Sequence, residues 1–152
     1  MNPVLPGLAG RFPAAILDVL PGLNLTRNVG WAGFNATYSS NYLLEPTDPM
    51  YVPLGVNYTN LLLQQYCQPG DILFANSDTY NEMVPPSSDP TFLADSNTAV
   101  YNAMAGAAPG AVYIMQGWLF YSASTFWTPK AVEAYLSGVP NEKCVLPAYC
   151  AQ

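Results

Sequence analysis

Two short apolar runs, Asp71-Ile72-Leu73-Phe74-Ala75-Asn76 and Ala111-Val112-Tyr113-Ile114-Met115, constrain this chain more than any other feature. Neither alternates apolar with polar residues, so each suits a strand buried on both faces, as in the interior of a parallel sheet. Each begins just after a Pro-Gly stop, at Pro69-Gly70 and Pro109-Gly110. Between them lies a helix signature. Asp89 stands as N-cap, Pro90 occupies the first helical position, and Phe92, Ser96, Ala99, Val100, Ala103 and Met104 follow on one face. Strands joined through a helix run parallel with a crossover, which excludes a hairpin architecture here.

The pattern extends in both directions. Val4-Leu5-Pro6-Gly7-Leu8 reads as a first strand, and Pro13 opens a helix carried by Ile16, Leu17 and Leu20 that ends at Pro21-Gly22. Residues 23–53 lose periodicity and fill with Asn, Gly, Ser and Tyr, which marks a functional excursion rather than a connection. A helix follows through Leu54, Tyr58, Leu61, Leu62, Gln65 and Tyr66. Another is capped by Thr128-Pro129, uses Val132, Tyr135 and Leu136, and has Gly138 near its C-terminal cap. A last strand begins near Cys144-Val145-Leu146. The order β, α, excursion, α, β, α, β, α, β predicts an α/β fold, a partial (β/α)8 TIM barrel of about half the usual size. It forms one domain over residues 1–152, with an atypical tail at 141–152. Its two edge strands stay open, which favours self-association and calls for further strands to close the barrel.

Charge and residue usage narrow the chemistry. Arg11, Arg27, Lys130 and Lys143 are scattered, and the net charge is −6, which argues against a nucleic-acid partner. With no His, the usual base of Ser and Cys hydrolases is missing, along with the commonest transition-metal ligand. Cys67, Cys144 and Cys150 match no zinc spacing and are expected as buried free thiols. No metal or cofactor is implied, and carboxylates are left to carry any acid–base step. No segment reaches the roughly 20 apolar residues of a membrane span, and residues after Met1 lack the pattern of a signal peptide. Charged residues make up only 9%, against about 25% in ordinary domains, so the surface is expected to expose apolar patches that neighbouring segments would cover.

Functional groups in parallel α/β folds gather at the C-terminal ends of the strands. Just beyond the first apolar run lies Asp78-Thr79-Tyr80-Asn81-Glu82-Met83-Val84-Pro85-Pro86, and just beyond the second lies Gln116-Gly117-Trp118. Glu82 therefore shares a rim with Trp118. Its competing reading is a solvated Glu on a polar loop. Tyr80 and Trp118 beside it would favour the neutral acid, as a proton donor requires. Trp118 and Trp31 each offer a flat apolar face to a ligand, or else simply fill the core. Asn81 could both donate and accept, or cap its loop, while Asp78 is expected to orient that loop.

These segments, with Leu43-Leu44-Glu45-Pro46-Thr47-Asp48-Pro49 and Met115-Gln116-Gly117-Trp118-Leu119-Phe120, resemble the α-N-acetylglucosaminidases, glycoside hydrolase family 89. The resemblance runs from about Pro3 to Pro140. It implies a retaining TIM-barrel glycosidase that removes terminal N-acetylglucosamine from glycans such as heparan sulfate. Residue by residue, it implies Glu82 as general acid and base, Asn81 on the C2 substituent, and Trp31 and Trp118 as pocket walls. Its nucleophilic Glu falls on a later strand beyond Gln152, so no nucleophile is assigned within this chain, and the isolated chain is expected to be inactive. Val145-Leu146-Pro147-Ala148-Tyr149 departs from the acidic strand end of the family.

The sequons at Asn24, Asn35 and Asn57 suit a secreted or lysosomal parent whose leader lies outside this sequence, and the resemblance finds counterparts for Asn24 and Asn35. The alternatives from other classes are a noncatalytic sugar-binding remnant and a truncated gene product.

Overall fold

The two apolar runs form the centre of a parallel sheet in the computed structural model, which describes residues 4–27, 34–35, 37, 42–81 and 83–146. Strand β1 is Val4–Pro6, β5 is Phe74–Asn76, β6 is Val112–Ile114 and β7 is Cys144–Val145. They lie in the order β1-β5-β6-β7, every neighbour parallel, with Leu5 opposite Ala75, Ala75 opposite Tyr113, and Tyr113 opposite Cys144. One face sends Leu5, Ala75 and Tyr113 into a core shared with Val100, Met104 and Tyr135. The other face, with Phe74, Asn76, Val112 and Ile114, is only half-covered. Burial on both faces is thus realised on the helix side alone. The sheet does not close among the described residues, and the architecture is a partial barrel.

Helix α2 (Tyr51–Tyr66) packs on α3 (Pro90–Ala105), and α3 packs on α5 (Pro129–Leu136). The local stop and start signals hold. The Asp89 carboxylate accepts from the N–H groups of Thr91 and Phe92 at 2.9 and 3.1 Å, and the Thr128 hydroxyl accepts from Ala131 N–H. The buried face of α2 differs from the expected one. Tyr51, Gly55 and Thr59 are buried, whereas Leu61 and Tyr66 are more than half exposed. A methyl group on Gly55 would overlap the Ala103 methyl, so the close approach of α2 to α3 depends on small residues, which a search for large apolar side chains passes over. In α3, Leu93 and Asn97 are buried where Phe92 and Ala99 are only half-buried, and Asn97 Nδ2 donates to Tyr135 O at 2.9 Å. Gly138 follows Ser137, the C-cap of α5, as expected. Its need is close contact with Ala94 O and Thr98, not left-handed backbone.

The excursion is more ordered than its sequence suggests. Strand β2 (Arg11–Phe12) and strand β3 (Leu25–Arg27) flank β4 (Tyr42–Leu44) in a three-stranded antiparallel sheet. The helix expected from Pro13 to Leu20 contracts to α1, Ile16–Val19. An additional short helix, α4 (Trp118–Ser122), starts directly at the rim after β6. Among the described residues, no helix is long and apolar enough to cross a membrane.

Candidate functional site

Strand β2 and the excursion brace the loop that leaves β5. Arg11, on β2, donates from Nη2 to Asn81 O at 3.0 Å and to Thr79 O at 3.5 Å. Glu45, just after β4, is buried and accepts from the Tyr80 hydroxyl at 3.0 Å. Tyr51, opening α2, shares a hydrogen bond with Thr79 Oγ1 at 3.3 Å and donates to Leu8 O. Residues 79–81 are thereby fixed from three separate elements. An Arg held against two carbonyls orders a loop through charge-assisted hydrogen bonds, which are stronger than neutral ones. Sequence reading placed Arg11 among scattered bases and Glu45 inside a motif without a role, because both act on partners far along the chain.

A second brace joins the two rim turns. Asp78 accepts from the backbone N–H of Gln116 at 3.3 Å, and also from that of Gly117. Ser77 N–H donates to Ile114 O across the same gap. Burial pushes the Asp78 carboxyl upward, and the two N–H donors partly oppose that shift. Gly117 takes a left-handed φ of 74°, a conformation glycine adopts without penalty, and this turns Trp118 outward at the head of α4. Trp118 is 45% exposed, a large indole open to solvent on the rim. Asp78 orients the loop as expected, and it also ties Asn81's turn to Trp118's turn.

Asn81 is half-buried, and its Oδ1 is buried without a partner among the described residues. Glu82 and Trp31 lie outside the described residues, as does Cys150. The Tyr80 ring is fully buried, edge-on to Tyr135 at 6.3 Å, and belongs to the core. Asn24 and Asn35 are exposed, and the Asn35 side chain accepts from Thr37 N–H in an exposed turn. Asn57 is exposed on α2, but its sequon partner Thr59 is buried and donates to Ala103 O. Cys67 and Cys144 are free thiols, half-buried rather than buried, and burial raises the Cys144 thiol. Among the described residues, no three His, Cys, Asp or Glu side chains cluster as metal ligands do.

Residues 1–151 match the family described as the Alpha-N-acetylglucosaminidase (NAGLU) tim-barrel domain. The chain belongs to this family. Human Alpha-N-acetylglucosaminidase is 40% identical over 146 residues, covering 96% of this chain and 19% of the human protein. The chain thus spans about a fifth of the length of that relative, and its open parallel sheet is part of the family's barrel.

Proposed function

We propose that this chain supplies the acid–base side of a retaining exo-α-N-acetylglucosaminidase, acting on terminal N-acetylglucosamine of glycans such as heparan sulfate. The observation that carries the reading is the braced rim. Asn81 and Trp118 sit on neighbouring strand ends joined through Asp78, and Glu82 follows Asn81 directly in sequence. In the reaction, the neutral Glu82 carboxyl gives its proton to the leaving glycosidic oxygen as a carboxylate on another barrel strand attacks the anomeric carbon. That carboxylate forms a covalent glycosyl ester. Glu82, now ionised, takes a proton from water as the water attacks the anomeric carbon and displaces the enzyme carboxylate, which restores both groups and, after two inversions, retains configuration. Asn81 holds the acetamido group at C2, and Trp118 and Trp31 pack the apolar sugar face. The isolated chain binds sugar without hydrolysing it, because the two carboxyl groups must stand roughly 5 to 5.5 Å apart. Exposed Asn24 and Asn35 favour a glycosylated parent in a secretory or lysosomal compartment.

The test places residues 1–152 in the human relative in exchange for its matching segment. Glu82→Gln is expected to cut hydrolysis of a disaccharide substrate by about 100- to 10,000-fold. N-acetylglucosaminyl fluoride, whose leaving group needs no protonation, should be turned over far less impaired once azide replaces water as nucleophile. Equal hydrolysis of the disaccharide by the variant and its parent contradicts the reading.

A further inference from the structure

Helix α4 divides its side chains sharply. Leu119 is buried, and Phe120 packs edge-on against Trp127 at 5.1 Å and Tyr135 at 6.3 Å, so these two residues pin the helix to the core. Trp118 and Tyr121, three residues apart and therefore on a common face, point the other way. Tyr121 is 70% exposed, while Tyr51, Tyr80, Tyr113 and Tyr135 are fully buried. The Trp118 and Tyr121 rings stand 5.3 Å apart with a 41° tilt. Two large aromatic rings left uncovered side by side on a functional rim are costly to hydrate.

We propose that Tyr121 extends Trp118 into a subsite for the sugar on the leaving-group side of the scissile bond. The proposal rests on reading the rim as the N-acetylglucosamine site. The terminal sugar lies on Trp118, against Asn81, and the next sugar lies on Tyr121. Each ring meets the C–H face of one pyranose, leaving the hydroxyl edges in water. An axial glycosidic bond turns the second ring out of the plane of the first, and the tilt between the two aromatics follows that turn. Tyr121 is therefore a specificity residue, selecting glycans whose penultimate unit is also a pyranose.

The experiment uses all 152 residues and two ligands, observed by saturation-transfer NMR and by tryptophan fluorescence. One is methyl α-N-acetylglucosaminide, and the other is a disaccharide bearing α-linked N-acetylglucosamine at its non-reducing end. The disaccharide is expected to bind about 5-fold more tightly, as one added aromatic contact provides. Tyr121→Ala should erase that preference while leaving the monosaccharide affinity and the melting temperature unchanged, and Tyr121→Phe should preserve it. A preference that is absent, or that survives Tyr121→Ala, overturns the subsite alone. A Tyr121→Ala chain that melts early and loses both affinities makes Tyr121 structural and also overturns it. Binding of neither sugar by the parent chain removes the sugar-site reading itself.

Discussion

At the C-terminal ends of the parallel strands, β2, the segment after β4 and the start of α2 converge on residues 79–81, whereas the turns at the opposite ends close on themselves. There, Gln68 N–H donates to Asp71 Oδ2 at 2.8 Å, Asp71 N–H donates back to Gln68 O, and Gly70 takes a φ of 93°. Ala111 N–H likewise bonds Ala108 O within its own turn. A cleft of about 480 Å³ opens beside these turns, lined by apolar groups such as Leu63, Ile72, Leu73 and Ala108. An apolar opening is therefore not by itself a built site. Size alone marks a hole, but polar side chains held by distant elements mark positions whose geometry matters.

The two ends of the sheet are expected to differ most at Arg11. Arg11→Met keeps the alkyl stem and removes the donors to Thr79 and Asn81, so the human chimera carrying it should lose about 100-fold in kcat, the scale of a misplaced catalytic loop. An unchanged kcat would mean that the loop holds itself. Trp118→Ala comes next. Its removal should lower kcat/KM about 10-fold, while Ile72→Thr, on the opposite end, leaves steady-state kinetics unaltered. A similar loss from both would erase the distinction between the ends.

The smallest expected effect is a change of stability with pH at Asp78. Burial raises the Asp78 carboxyl, so the folded protein holds that proton more tightly than the unfolded chain does. Below the ordinary carboxylate range both states are protonated and the stabilising contribution is fully present. It is lost as pH rises through the folded value. Asp78→Asn cannot ionise and should therefore gain stability relative to the parent as urea denaturation is repeated from pH 3 to pH 7. A relative loss over that interval would show the carboxylate to be favoured at the rim.

The parallel half of the fold was legible because its signals are local. Asp89-Pro90 and Thr128-Pro129 cap their helices within a few residues, and Pro69-Gly70 and Pro109-Gly110 announce the strands that follow. The antiparallel sheet was not legible. Strands such as Arg11–Phe12 and Leu25–Arg27 are too short to show alternation, and they are specified by pairing with Tyr42–Leu44 far along the chain. The same distance hid the support of the site, since Arg11 and Asn81 are 70 positions apart. Asn81 and Trp118 could be placed on one rim from strand order alone. That Tyr80 turns inward could not, because the buried Glu45 that receives its hydroxyl lies in the excursion.

The central claim is that sugar is held at the C-terminal rim. NMR of residues 1–152 titrated with N-acetylglucosamine tests it most directly, because the indole of Trp118 is exposed and that of Trp127 is only 4% exposed in the core. The account predicts shifts in the Trp118 indole N–H and the Asn81 side-chain amide, with Trp127 and the Gln64 and Gln68 amides beside the opposite cleft unmoved. Shifts confined to Gln64 and Gln68, or none at saturating sugar, would contradict it.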